Sequence, residues 1–140
     1  MSEKYRVLFV CAKNDVRSLL AEALLRHTDS GHFEAFSAGL TVGDIDQRTL
    51  AALQHIGVDS SGLRSKSIDE FKGQDFHYIV TLCDKSSEET FWMLSSDEVI
   101  TWNFEDPATS EKPEPFRHTL QEIHDRIKMF VTVKTRNTSA

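Results

Sequence analysis

Val7-Leu8-Phe9-Val10-Cys11-Ala12-Lys13-Asn14-Asp15-Val16-Arg17-Ser18 is the stretch on which the reading of this chain turns. Four consecutive apolar residues, Val7 to Val10, suit a strand buried on both faces, as central strands of parallel sheets are. From Ser18 to His27 the spacing becomes helical, with Leu19, Ala23 and Arg26 on one side and Leu20, Leu24 and Leu25 on another. Residues 11–17 therefore leave a strand and enter a helix. In open α/β sheets, ligands bind beyond the carboxyl ends of the strands, at turns of this kind.

Outward from this turn, short β-like runs alternate with helical ones. Phe33 to Phe36 reads as a second strand, closed by Ser37-Ala38-Gly39. Asp46 to Ile56 is a helix candidate, with Leu50, Leu53 and Ile56 at three-residue steps and Gly57 as its stop. Ser67 to Phe71 suits a short helix capped by Ser67, with Glu70 completing a capping box. His77 to Leu82 is a β-branched and aromatic third strand, and Glu98 to Trp102 a fourth, with a helical stretch from Glu89 to Leu94 between them. Phe116 to Val131 presents Leu120, Ile123, Ile127 and Phe130 on one helical face. The alternation predicts the α/β class: a single-domain three-layer sandwich around a four-stranded parallel sheet, with right-handed crossovers. The domain is expected over 1–133, followed by a polar tail over 134–140.

The 140 residues allow one core, and 39% hydrophobic with 27% charged residues is a globular composition. A formal net charge of -6 offers no basic excess for nucleic acid or anionic membranes. No stretch approaches the roughly 20 apolar residues that span a bilayer, and the N-terminus lacks the pattern of a secretory signal. The expected location is cytoplasmic. Cys11 and Cys83 lack CxxC spacing, and the histidines form no HExxH cluster, so neither a disulfide framework nor a metal site is expected.

The loop itself carries chemistry. A helix N-terminus presents unpaired backbone N–H groups and a positive dipole end, both favourable to an anion. A cysteine there beside an arginine is expected to have its pKa lowered from about 8.5 towards roughly 3.5–7.5, making it a thiolate at neutral pH. Arg17 supplies a planar fork matched to two oxygens of a tetrahedral oxyanion, and Ser18 a hydroxyl for the sulfur. Ala12, Lys13, Asn14, Asp15 and Val16, with Arg17 and Ser18, would form the cradle. Taken alone, Cys-x5-Arg also fits a buried cysteine ending a strand and an arginine beginning a helix.

Cys11-x-x-Asn14-x-x-Arg17-Ser18 resembles the phosphate-binding loop of the low-molecular-weight protein tyrosine phosphatases. The resemblance continues in family order through Ala21-Glu22, Ser37-Ala38-Gly39, Ser65-Lys66, Val80-Thr81-Leu82-Cys83, Trp102-Asn103-Phe104-Glu105-Asp106-Pro107-Ala108, Phe116-Arg117 and Glu122-Ile123. Within the family the chain looks most like the thiol-dependent arsenate reductases. The resemblance implies strand order 2-1-3-4, Cys11 as nucleophile and Asp106 as general acid. It also implies that Cys83 is a resolving thiol, and Ala108 stands where the phosphatases usually carry an aromatic wall.

Three departures qualify what the resemblance implies. Lys13 stands where many relatives carry glycine, at a cost of about 1–2 kcal/mol if that position needs positive φ. Val16 replaces a frequent loop cysteine. Thr90 occupies the position of a third cysteine used with thioredoxin. The implied reductant is an external thiol, either glutathione with glutaredoxin or thioredoxin, with no bound cofactor. In some relatives Asn14, Glu22 and Ser37 help to build a potassium site, with an aspartate where this chain has Lys66. The lysine ammonium would fill the cation's place, leaving Asn14, Glu22, Ser37 and Lys66 as structural supports. Two other functions fit the same residues: a phosphomonoesterase for which Cys83 is incidental, and a non-catalytic oxyanion-binding or redox-sensing module.

Overall fold

Val7, Leu8, Phe9 and Val10 have no exposed surface, because their strand lies in the interior of a sheet with covered faces. The computed structural model describes residues 4–11, 13–82, 95–102, 104, 107–111 and 113–136. In chain order these form β1 (Tyr5–Cys11), α1 (Arg17–Asp29), β2 (Phe33–Gly39), α2 (Gln47–His55), a 3-10 turn (Ile68–Phe71), β3 (Asp75–Thr81), β4 (Ser95–Thr101), a second 3-10 turn (Pro107–Thr109) and α3 (Pro115–Arg136). The four strands make one sheet in the order β2-β1-β3-β4, every pairing parallel. The expected α/β architecture and strand order are those observed.

Alternation along β1 divides the interior in two. Val7 and Phe9 face a large core with Leu20 and Leu24 of α1 and Leu120, Ile123 and Ile127 of α3. Leu8 and Val10 face a smaller core with Phe76 and Ile79 of β3 and with Ile68 and Phe71 of the first 3-10 turn. Every residue of α1 from Ser18 to Leu25 is buried, because the helix lies against β1, β2 and α3 together. That arrangement explains why its apolar residues occupy more than one side.

Several expected boundaries shift. β3 and β4 begin two and three residues before the sequence pattern, at Asp75 and Ser95, since parallel pairing to a neighbour recruits polar residues that no alternation marks. The capping box at 67–70 does not form. Ser67 accepts from the Asp69 N–H, but the Glu70 carboxylate turns to Arg64 in a two-pronged ion pair, a stronger partner than a backbone amide. α3 continues to Arg136, so residues 134–136 of the expected polar tail are helical; Lys134 reaches Glu98 on β4 at 3.2 Å. α2 matches its expectation, with Asp46 as cap and Gly57 at φ +74° just beyond its end. The helix expected over Glu89–Leu94 lies outside the described residues. No helix among the described residues is long and apolar enough to cross a membrane.

Candidate active site

The carboxyl end of β1 delivers Cys11 into the interior, 1% exposed, with its sulfur 2.8 Å from the Ser18 hydroxyl at the start of α1. Between them the chain turns through Asn14, which adopts φ +53°. This corrects the expectation about Lys13. The left-handed position belongs to Asn14, a residue type that tolerates it, and Lys13 carries no such strain. Lys13 is exposed, and its carbonyl accepts from the Ser65 hydroxyl.

A buried hydrogen-bond chain runs away from the sulfur, and its polarity can be worked out atom by atom. The Lys66 backbone N–H donates to Asn14 Oδ1 at 2.7 Å, which fixes the orientation of the amide. Asn14 Nδ2 therefore donates both hydrogens, to Ser18 Oγ at 2.7 Å and to Ser37 Oγ at 3.0 Å. Ser37 in turn donates to the Glu22 carboxylate. With its oxygen already accepting from Asn14, Ser18 is left to direct its own hydrogen to Cys11. That direction favours a thiolate.

Glu22 is 2% exposed and meets two cations: Arg26 at 2.6 Å and Lys66 Nζ at 3.5 Å. The Lys66 ammonium also donates to the Arg64 carbonyl at 2.9 Å and to Ser37 Oγ at 3.4 Å. Burial pushes its pKa down, the Glu22 charge pushes it up, and nearby Arg64 opposes it. Asn14, Glu22, Ser37 and Lys66 thus converge as one buried cluster behind the loop. An ammonium stands among oxygens of the kind that would coordinate a monovalent cation.

The Cys11 thiol departs from expectation. Burial raises its pKa, and this outweighs the lowering by the Ser18 hydroxyl, the backbone N–H groups of Ser18 and Asn14, and the Arg17 charge. A sequence shows the dipole and the arginine but not a sulfur sealed from water. Ser18→Ala removes the largest of the lowering influences, so the thiol pKa should rise further. The pH profile of iodoacetamide labelling at Cys11 checks this. The inflection should move to higher pH and labelling near pH 7 should slow, whereas an unmoved profile would mean that Ser18 does not polarise the sulfur.

The remaining loop residues are distributed around this core. Val16 is buried and precedes α1 with no side-chain cap, so the cap residue itself does not occupy the first-turn amides. The Asp15 carbonyl accepts from the Asp46 N–H at 3.2 Å and from the Thr49 hydroxyl at 3.1 Å, which ties the loop to the start of α2. Arg17 directs Nη1 to the carbonyls of Phe104 at 2.9 Å and Leu82 at 3.4 Å. Ala12, Cys83 and Asp106 lie outside the described residues.

Thr49 and Gly39 are supports that residue-type reasoning missed. Thr49 is fully buried beneath the loop, and nothing in its local sequence marks it. Gly39 lies where β2 crosses the loop, with the Leu40 N–H bonded to the Cys11 carbonyl. A Cβ on Gly39 would sit 2.6 Å from the Lys13 carbonyl carbon and 2.7 Å from the Asn14 nitrogen.

A parallel α/β sheet carries a buried cysteine and an arginine at the turn after a central strand, the arrangement expected of a cysteine-based oxyanion site. A profile of the family described as low molecular weight phosphotyrosine protein phosphatase matches residues 6–139, and the chain belongs to that family. It is 32% identical to the arsenate reductase of Brevibacillus brevis over 130 residues, covering 93% of this chain and 96% of that one. It is 25% identical to the glutaredoxin arsenate reductase of a Synechocystis species, covering 90% and 95%. The crystal structure of an arsenate reductase from Archaeoglobus fulgidus superposes with a TM-score of 0.74 at 34% identity, over 90% of this chain and 98% of that one.

Proposed function

We propose that this protein reduces arsenate to arsenite, with Cys11 as the attacking thiol. The observation that carries the reading is the Cys11–Ser18–Asn14–Ser37–Glu22 chain. It points a hydroxyl hydrogen at a buried sulfur beside first-turn amides without a side-chain cap. The likeness to arsenate reductases over most of each chain supports the choice of substrate.

In the first step the Cys11 sulfur bonds to arsenic and an As–O bond breaks. The oxygen departs as water, taking the thiol proton and a second proton from Asp106 as general acid. Arg17 and the loop amides hold the remaining oxygens. A second thiol then attacks the Cys11 sulfur. The electron pair of the S–As bond stays on arsenic, which passes from As(V) to As(III). Arsenite leaves, and a disulfide remains. Cys83 is the internal candidate for that thiol. An external thiol, supplied by glutathione with glutaredoxin or by thioredoxin in a reducing cytoplasm, restores the enzyme.

Phosphomonoester hydrolysis would share the first step and needs only water for the second. The exposed Ala108 after Asp106-Pro107 offers no ring to stack on a phosphotyrosine, which favours reduction. Behind the loop, the Lys66 ammonium does the work of a bound monovalent cation, so activity should be independent of potassium.

The test is mass mapping of thiols after arsenate treatment of the reduced protein, with arsenite measured under a panel of thiol donors. A Cys11–Cys83 disulfide that appears only with arsenate supports the internal route, and a mixed disulfide with glutathione identifies the external one. No arsenite with any donor would sink the proposal.

A further inference from the structure

We propose that Arg17 is a positioning residue as well as an oxyanion ligand: its Nη1 ties the end of β3 and the segment after β4 to the catalytic loop. Nη1 carries two hydrogens, and two backbone carbonyls receive them, Leu82 at 3.4 Å and Phe104 at 2.9 Å. These carbonyls come from chain segments 65 and 87 residues away from Arg17. Leu82 immediately precedes Cys83, and Phe104 stands two residues before Asp106. One guanidinium therefore bridges the two segments that carry the resolving thiol and the general acid, assignments that rest on the function proposed above.

The partners of Arg17 are themselves held. The Leu82 side chain is fully buried, and the Leu82 N–H donates to the Val10 carbonyl of β1 at 2.9 Å. The Phe104 ring meets the Trp102 ring edge-on at 6.4 Å, and the Arg126 guanidinium lies 5.9 Å from the Phe104 ring centroid. Trp102 is anchored in turn against Phe9 and Phe130. Phe104 is thus fixed by its ring from the α3 side and by its carbonyl from the loop side. An oxyanion bound through the Nε and Nη2 edge leaves Nη1 on the two carbonyls, because the guanidinium is planar and its donors point in fixed directions. The same residue then holds Leu82 and Phe104 to the start of α1, and this bridge exists before substrate arrives.

The test needs no arsenate, so its outcome is separate from that of the reductase reading. Hydrogen exchange is followed in oxyanion-free wild type, Arg17→Met and Arg17→Lys. Methionine fills similar space with no donor, and lysine restores a charged donor. Amides at 80–82 and 100–104 should exchange faster in Arg17→Met by about five-fold or more, with β1 and α1 unchanged and partial protection regained in Arg17→Lys. Wild-type exchange in Arg17→Met overturns the proposal.

If Arg17→Met does not fold, the decision passes to nitrogen NMR of the Arg17 guanidinium in the wild-type protein. A resolved, restrained Nη1 signal without oxyanion is the expected result. A single averaged Nη signal overturns the proposal, leaving Arg17 as an anion ligand alone.

Discussion

Cys11→Ser should lose arsenate reduction by roughly 10⁴-fold or more while remaining folded. The substitution replaces a polarisable sulfur, whose thiol ionises more readily than an alcohol even with its pKa raised by burial, with a hydroxyl that is a far weaker nucleophile. The cavity changes little, since the side chains differ by one atom and the Ser18 hydroxyl 2.8 Å away can still serve as partner. Loss of activity with an unchanged melting temperature therefore reports chemistry rather than unfolding. Cys83→Ser is expected to behave differently. It leaves the first step intact, so arsenate should still consume the Cys11 thiol. Arsenite release should slow by about 100-fold or more at low external thiol, because an intramolecular attack with high effective molarity has been replaced by a bimolecular one. Glutathione at millimolar concentration should recover part of the rate and leave a mixed disulfide at Cys11. Full activity of Cys11→Ser would exclude the thiol mechanism altogether. Full activity of Cys83→Ser at low thiol would make Cys83 incidental and assign the second step to an external donor.

The contrast between β1 and β4 shows what could be read before the structure. β1 announces itself, because a strand in the sheet interior buries both faces and so spells out Val7-Leu8-Phe9-Val10. β4 is an edge strand of Ser95-Ser96-Asp97-Glu98-Val99-Ile100-Thr101, mostly exposed, and nothing in it obliges a regular apolar pattern. The loop was legible as a set of residue types: a cysteine at a strand end, an arginine and a serine at a helix start. Its energetics were not. Whether Cys11 sits in water or beneath the loop decides the direction of its pKa, and that depends on how closely β2 and the 65–66 segment press on it. The left-handed residue is another such case. Local sequence draws attention to Lys13, whereas the path of the chain puts the turn at Asn14, where the amide also meets Ser18, Ser37 and Lys66. The bonds from Arg17 to Leu82 and Phe104 end on backbone carbonyls, which no side-chain motif encodes.

Gly39→Ala should be among the most damaging single-methyl changes this fold can suffer, at about 3 kcal/mol or more. Gly39 does not adopt positive φ, so the need for glycine here is one of space alone. A Cβ would meet the Thr41 carbonyl oxygen at 2.5 Å, the Lys13 carbonyl carbon at 2.6 Å and the Asn14 nitrogen at 2.7 Å. All three are backbone atoms, so no rotamer change relieves the contact. Relief would require moving β2 away from the loop, which breaks the Leu40–Cys11 bond at 3.1 Å and the Gly39–Lys66 bond at 2.8 Å. Moving the loop instead shifts Asn14, on which the polarity of the Ser18 hydrogen bond depends. Both routes disturb Cys11. For a chain of this size the cost corresponds to a fall in melting temperature of about 10 °C, with labelling of Cys11 altered in the folded fraction. Gly31→Ala is the control, since its Cβ would meet only the Asp29 carboxylate at 3.6 Å, and it should change neither property. Melting curves for the two variants that coincide with wild type would show that β2 and the loop have room to part, and the tight crossing at Gly39 would lose its role in holding the site.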